Sequence, residues 1–305
     1  MRYSVVLTAD FPSVTTEILA PHFDVIAHPT EHGRSEDDLI TILADADAAV
    51  TLLQDPITRR VLESNPNLRC VSNFAVGYNN IDVEAARELG ITVTNTPGVL
   101  TEATADLTIA LLLAVTRRIV EGDAEVRATG RCEWEPLKLL GGSLQGKRLG
   151  IIGMGRIGTA VATRARAFGM DVLGIRRGDP LDELLATSDI VSLHVPLSRE
   201  TDRMINAATL AAMKSGAYLI NTSRGALVDE DALCDALETG HLRGAGLDVY
   251  EHEPAVNPRL LTMKNIVLLP HIGSATEEAR NAMATIAATN VFRFLRGMEP
   301  LHRVV

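Results

Sequence analysis

The chain is short of the residues that mark several common kinds of protein. Among 305 residues there are three cysteines, Cys70, Cys132 and Cys234, and no CxxC pair. That odd, scattered set excludes a disulfide framework and a thiolate zinc site, and it predicts a reducing, cytoplasmic setting with no metal. Basic residues never gather in a block, and the formal net charge is −10. Holding a nucleic-acid backbone takes clustered Lys and Arg. Neither nucleic acid nor an anionic membrane surface is therefore an expected partner. Long apolar runs are missing too. The most apolar stretch, Leu107 to Val115, is bounded by Asp106 and Arg117, and at about half a bilayer span it reads as a buried helix. The opening Met1-Arg-Tyr-Ser-Val-Val-Leu7 enters a strand-like run with neither the apolar region nor the cleavage site of a signal peptide. No internal repeat or low-complexity tract is present.

What is there is ordinary globular material, 46% hydrophobic and 22% charged, enough for two domains with cores. Over the first hundred residues, short apolar runs (Val5 to Leu7, Ala48 to Leu53, Cys70 to Phe74, Ile91 to Asn95) alternate with helical patterns at 35–44 and 83–89. Gly90 closes the second pattern as a C-cap signal. Strands alternating with helices predict a parallel sheet. A long helix is expected from Thr101 to about Glu121, then an irregular stretch over 128–147. A second α/β series follows, with strands at 148–153, 172–175, 190–195, 217–221 and 266–269, and a long helix at 277–296 closes the chain. The expected organisation is α/β, with two Rossmann-like parallel-sheet domains and a cleft between them. Residues 1–100 and 284–305 make a discontinuous, flavodoxin-like substrate domain, and 101–283 a dinucleotide-binding domain.

The glycine run Gly153-Met-Gly-Arg-Ile-Gly158 sits between an apolar strand and an amphipathic helix. Gly153 permits a tight turn, Gly155 lets a pyrophosphate approach the backbone, and Gly158 lets helix and strand pack closely. The next strand runs into Arg176-Arg177, where an NAD-selective fold usually places Asp or Glu. A guanidinium there can fork onto a ribose 2′-phosphate. NADPH is thus expected over NADH, although Arg176 and Arg177 could be a solvated turn and Asp179 could still swing in.

Three further residues complete a constellation. Arg224, in Asn-Thr-Ser-Arg-Gly, follows the strand at 217–221 and can clamp a carboxylate at a strand's carboxyl end. His271 follows the strand at 266–269, and imidazole suits proton transfer near neutrality. Glu253, in Glu-His-Glu-Pro, supplies a carboxylate, which favours the imidazolium when the two meet. Arg224 would polarise a 2-keto acid and His271, oriented by Glu253, would deliver a proton opposite a hydride. Asp248 is placed either to accept from a nicotinamide carboxamide or to cap the sheet end.

With those residues in hand, the chain resembles the D-isomer-specific 2-hydroxyacid dehydrogenases over nearly its full length. The matching stretches are Asn73 to Asp82, Thr94 to Asp106, Gly150 to Gly158, His194-Val-Pro-Leu197, Asn221 to Gly225, Gly246 to Pro254 and Pro270 to Ser274. The resemblance implies that Arg224, Glu253 and His271 are the catalytic arginine, glutamate and histidine. It places Val76 and Gly77 in the loop whose amides receive the substrate carboxylate. It assigns cofactor contacts to Thr104, Gly155, Arg156, Ile157, Pro196, Thr222, Ser223, Asp248 and Gly273. Within the family, Ala-Val-Gly-Tyr and Leu-Thr-Glu-Ala-Thr-Ala-Asp look most like glyoxylate and hydroxypyruvate reductases. Trp134-Glu-Pro-Leu resembles a segment those enzymes place near the partner subunit's active site, and a homodimer through the coenzyme domains is implied. Two departures stand out. Arg177 is followed almost at once by a helix at 181–186, where relatives fit another short strand, so a trimmed sheet edge is expected. The chain also stops at Val305, leaving no room for the regulatory domain of many phosphoglycerate dehydrogenases. Formate dehydrogenases, with a glutamine shortly before the histidine, are disfavoured by Leu269-Pro270. The competing expectations are an NADH-linked enzyme for a bulkier D-2-hydroxy acid and a dinucleotide-sensing, corepressor-like binding protein.

Overall fold

A computed structural model describes residues 2–30 and 33–305. The chain divides into two units, Met1–Leu100 with Ala275–Val305, and Thr101–Ser274. The return to the first unit comes at Ala275. The reason is local: Thr276 caps the tail helix by accepting from the Ala279 N–H. A capped, continuous helix cannot be cut in mid-turn.

In the first unit, β1 (Ser4–Leu7), β2 (Asp24–Ala27), β3 (Ala48–Thr51), β4 (Cys70–Asn73) and β5 (Thr92–Thr94) form a parallel sheet in the order β2-β1-β3-β4-β5. The helices α1 (Val14–Leu19), α2 (Glu36–Leu43), α3 (Arg59–Glu63) and α4 (Val83–Leu89) lie between strands, and the tail helix α11 (Glu277–Leu295) packs on β3, β4 and α1. Leu39, Leu43, Val61, Leu62 and Ala85 cover one sheet face. Ser35 begins α2 with a capping box, its side chain accepting from the Asp38 N–H while Asp38 accepts from Ser35. Strand β2 was not foreseen. As an edge strand it is mostly exposed, so burial imposes no apolar pattern on it.

The second unit begins with α5 (Thr101–Thr116) and α6 (Ile119–Thr129). A single helix to about Glu121 was expected, but the chain breaks at Arg118, which takes φ 54°. Arg118 then grips Glu121 through Nε and Nη2 at 2.7 and 2.6 Å, starting α6 in a new direction. Nothing in Thr-Arg-Arg signals this, because left-handed backbone usually falls to Gly or Asn. Helix α6 also fills the first residues of the stretch that reads as irregular.

There follow β6 (Arg148–Ile152), α7 (Arg156–Ala167), β7 (Asp171–Ile175), α8 (Asp182–Thr187), β8 (Ile190–Leu193), α9 (Ala207–Ala212), β9 (Ala217–Asn221), α10 (Glu230–Glu238), β10 (Leu242–Leu247) and β11 (Ile266–Leu268). All pair in parallel, in the order β11-β10-β9-β8-β6-β7. Alternate strand residues feed two cores. Leu149, Ile151, Tyr218 and Ile220 pack under α5 and α7, while Val191, Leu193, Leu219 and Leu247 pack under α8, α9 and α10. Each such leucine or isoleucine contributes roughly 1.5–3 kcal/mol by leaving water. No strand lies between β7 and α8 among the described residues, so β7 is the edge. The strand order reverses between β6 and β8, and a doubly wound sheet binds ligands at the carboxyl ends there.

Candidate active site

The glycine turn sits at that switch point, and each glycine is required for a separate steric reason. At Gly153, φ is +104° and an added Cβ would come within 2.5 Å of the His194 carbonyl oxygen. At Gly158 it would come within 2.1 Å of the Gly153 oxygen, so helix α7 could not seat against β6. At Gly155 it would meet nothing within 4 Å. The surface above the middle glycine is therefore open while the other two are closed by the fold. The first backbone bond of α7 runs from the Thr159 N–H to the Gly155 oxygen, which leaves the amides of Arg156, Ile157 and Gly158 at the helix start for an anion. These residues fit a dinucleotide pyrophosphate.

The edge turn divides its charged residues. Asp179 Oδ2 accepts from the Arg176 N–H at 2.7 Å, so this carboxylate closes the turn. The Arg177 guanidinium pairs with Glu200.

Glu253 and His271 are brought together by loops after β10 and β11. Glu253 Oε2 and His271 Nδ1 are 2.8 Å apart, with side chains 20% and 28% exposed. Burial alone would raise the Glu253 pKa, but the hydrogen bond and charge of His271, the Tyr250 amide and Arg224 together hold it below the usual carboxylate value. Arg224 belongs to the same electrostatic cluster. Burial lowers its pKa, and the Glu253 carboxylate opposes that.

The supporting contacts explain how these side chains are aimed. Asn221, at the end of β9, accepts from the Ser223 N–H at 3.0 Å and donates to the Arg224 oxygen at 2.8 Å. That closed loop sets the backbone of Arg224. Gly225 lets the chain pass, because a Cβ there would fall 1.8 Å from the Tyr250 carbonyl carbon. Tyr250 then donates its N–H to Glu253 Oε1 at 3.0 Å and its hydroxyl to the Leu269 oxygen at 2.8 Å. It thus touches the approach to all three residues. Neither Asn221 nor Tyr250 stood out as a site residue in sequence. A strand-end Asn closing a turn was the one legible signal.

His271 takes φ 56°, a conformation that costs a non-glycine residue about 1 kcal/mol. Asp248 offsets this strain. Wholly buried, it accepts from the next two amides, Ile272 at 2.7 Å and Gly273 at 2.8 Å. Its hydrogen bonds are those of the sheet-end cap, and burial raises its pKa.

The other expected positions fall as follows. A Cβ on Gly273 would lie 3.6 Å from Thr104 Cγ2, so these two are neighbours. The Thr222 hydroxyl is spent on Thr108, 2.8 Å away in α5. Ser223 Oγ donates to the Val195 oxygen at 2.6 Å, and Thr201 Oγ1 to the Pro196 oxygen at 2.8 Å. In the first unit, the Val76 and Gly77 carbonyls accept from Asn95 and Asn73, both at 2.8 Å. Their N–H groups donate to nothing among the described residues. Trp134 is 86% exposed on the segment after α6, so its own chain does not bring it to the triad. Among the described residues, no His, Cys, Asp and Glu cluster could hold a metal. No helix there is long and apolar enough to cross a membrane.

This architecture has close relatives. Residues 109–273 match the model of the NAD-binding domain of the D-isomer-specific 2-hydroxyacid dehydrogenases. A glyoxylate reductase of Thermococcus litoralis is 46% identical, covering 98% of this chain and 96% of its own. A Thermus thermophilus structure superposes with a TM-score of 0.94 at 46% identity, covering 99% of this chain and 100% of its own. An NADPH-dependent glyoxylate/hydroxypyruvate reductase of Sinorhizobium meliloti, solved with NADP and malonate, gives 0.87 at 33% identity, covering 100% and 97%. The glycine turn, the sheet order and these similarities over the whole length lead to one conclusion: the chain belongs to the NAD(P)-dependent D-isomer-specific 2-hydroxyacid dehydrogenases.

Proposed function

We propose that this enzyme reduces a small 2-keto acid of the glyoxylate and hydroxypyruvate type to the D-2-hydroxy acid, with NADPH preferred over NADH. The observation that carries the catalytic assignment is the 2.8 Å contact between His271 Nδ1 and Glu253 Oε2 beside Arg224. The bound nicotinamide supplies the hydride. Arg224 holds the substrate carboxylate and polarises the keto oxygen. Glu253 keeps the Nδ1 side of the imidazole ring engaged, so Nε2 carries the proton that goes to the developing alkoxide. The free amides of Val76 and Gly77 suit the carboxylate end of the substrate, which gives the first unit the substrate-binding role. Gly153, Gly155, Arg156, Ile157 and Gly158 take the pyrophosphate, and Arg176 and Arg177 the 2′ end of the cofactor. Thr104, Pro196, Thr222, Ser223, Asp248 and Gly273 line the nicotinamide side.

Trp134, Leu137 and Leu140, all exposed, support a homodimer in which this segment reaches the partner. The glyoxylate reductase relatives, matched over nearly their full length, favour turnover over a binding-only role. The test is the initial rate of cofactor oxidation with glyoxylate and with hydroxypyruvate, using NADPH and NADH in parallel. Rapid turnover with NADPH and slow turnover with NADH is expected. Equal rates would remove the arginine argument, and no rate with either cofactor would remove the substrate assignment.

A further inference from the structure

Arg176 and Arg177 are adjacent in sequence, yet the fold treats them differently. The Arg176 guanidinium has no hydrogen bond or ion pair among the described residues, its backbone N–H being the group that meets Asp179. Arg177 Nη2 instead donates to both oxygens of Glu200, at 2.7 and 2.5 Å. Glu200 comes from the loop that follows β8. There Thr201 Oγ1 accepts from the Ser198 N–H at 2.8 Å and donates to the Pro196 oxygen at 2.8 Å. A closed turn thus carries a carboxylate to the end of β7, where dinucleotide folds selective for NAD usually keep an acidic residue of their own.

We propose that Glu200 is a specificity-determining residue, competing with the cofactor's 2′-phosphate for Arg177 and so limiting the preference for NADPH. The proposal rests on the assignment of the Arg176-Arg177 turn to the 2′ end of the cofactor. One guanidinium cannot serve a carboxylate and a phosphate in the same forked geometry. With NADPH, Arg177 must turn away from Glu200, and the contact between them is lost. With NADH the pair stays closed, and Glu200 keeps acceptor sites for a 2′-hydroxyl. Arg177 and Glu200 side chains are 84% and 64% exposed, so the pair opens readily. The competition therefore tunes selectivity by no more than about fivefold, the limit for an exposed ion pair.

The test is binding rather than turnover: dissociation constants of NADPH and NADH, from nicotinamide fluorescence at low ionic strength, for the intact protein. Glu200→Gln is expected to tighten NADPH about two- to fivefold and to leave NADH unchanged. The gain should shrink at high salt, where exposed charges are screened, and should vanish in an Arg177→Ala background. Equal tightening of both cofactors overturns the proposal, since it would be a general field effect. A gain that survives Arg177→Ala overturns it too. Arg176→Ala separates the proposal from its foundation. Should Arg176→Ala weaken NADPH while Glu200→Gln is silent, the 2′-phosphate assignment stands and the role of Glu200 falls. Silence of both removes the assignment and the role together.

Discussion

Replacing Glu253 by Gln isolates the charge of the catalytic pair. The side chain keeps its shape, and the amide oxygen can still accept the Tyr250 N–H now received by Oε1 at 3.0 Å. What changes is the 2.8 Å contact with His271 Nδ1, where the amide nitrogen can only donate. A neutral imidazole accommodates that donor and an imidazolium does not. A part-buried, charge-assisted hydrogen bond is worth about 1.5–3 kcal/mol. At 1.36 kcal/mol per decade, kcat/KM for keto-acid reduction should fall roughly tenfold to 150-fold at neutral pH. The assay is kcat/KM for glyoxylate at neutral pH, with NADPH affinity measured separately and expected to be unchanged. Wild-type kcat/KM in the variant would refute the assignment of Glu253 as the carboxylate that holds His271 for proton transfer.

Other outcomes follow from the same site. His271→Ala should lower turnover about 10²- to 10⁴-fold while the cofactor still binds, and near-normal turnover would end its role as proton donor. Arg176→Asp should raise the KM for NADPH more than that for NADH, and an unchanged ratio would take Arg176 out of cofactor recognition. Burial pushes the pKa of His194 down to about 4 from its ordinary 6.5. The unfolded chain therefore takes up this proton first, and stability present above pH 6.5 is lost as pH falls towards 4. The loss is at most roughly 3 kcal/mol, an upper bound because the ring keeps some solvent contact. Chemical denaturation at pH 7 and pH 4.5 reads it, and His194→Gln should flatten the difference. An equal difference in the variant would place the effect at a group other than His194. Glu253 is not that group, because its lowered pKa makes stability fall only below the usual carboxylate range.

Much of this was legible in the residues, because local chemistry there has few solutions. A strand, Gly-x-Gly-x-x-Gly and a helix allow little besides the turn observed, and the steric contacts at Gly153 and Gly158 show why. The strands that read clearly, such as β6, β8 and β9, are buried on both faces, so nearly every position had to be apolar. The edge strand β2 escaped because exposure removes that constraint.

The rest was decided only by tertiary contact. No pattern in Thr-Arg-Arg predicts a left-handed Arg118, and none predicts a left-handed His271 held by the two amides that Asp248 grips. Glu253 and His271 are eighteen residues apart, and sequence could only suggest that they meet. Their 2.8 Å contact exists because β10 and β11 are parallel neighbours whose carboxyl-end loops start side by side. Likewise, sequence shows two equivalent arginines after β7. Only the closed loop after β8 makes them different, by delivering Glu200 to one and not the other.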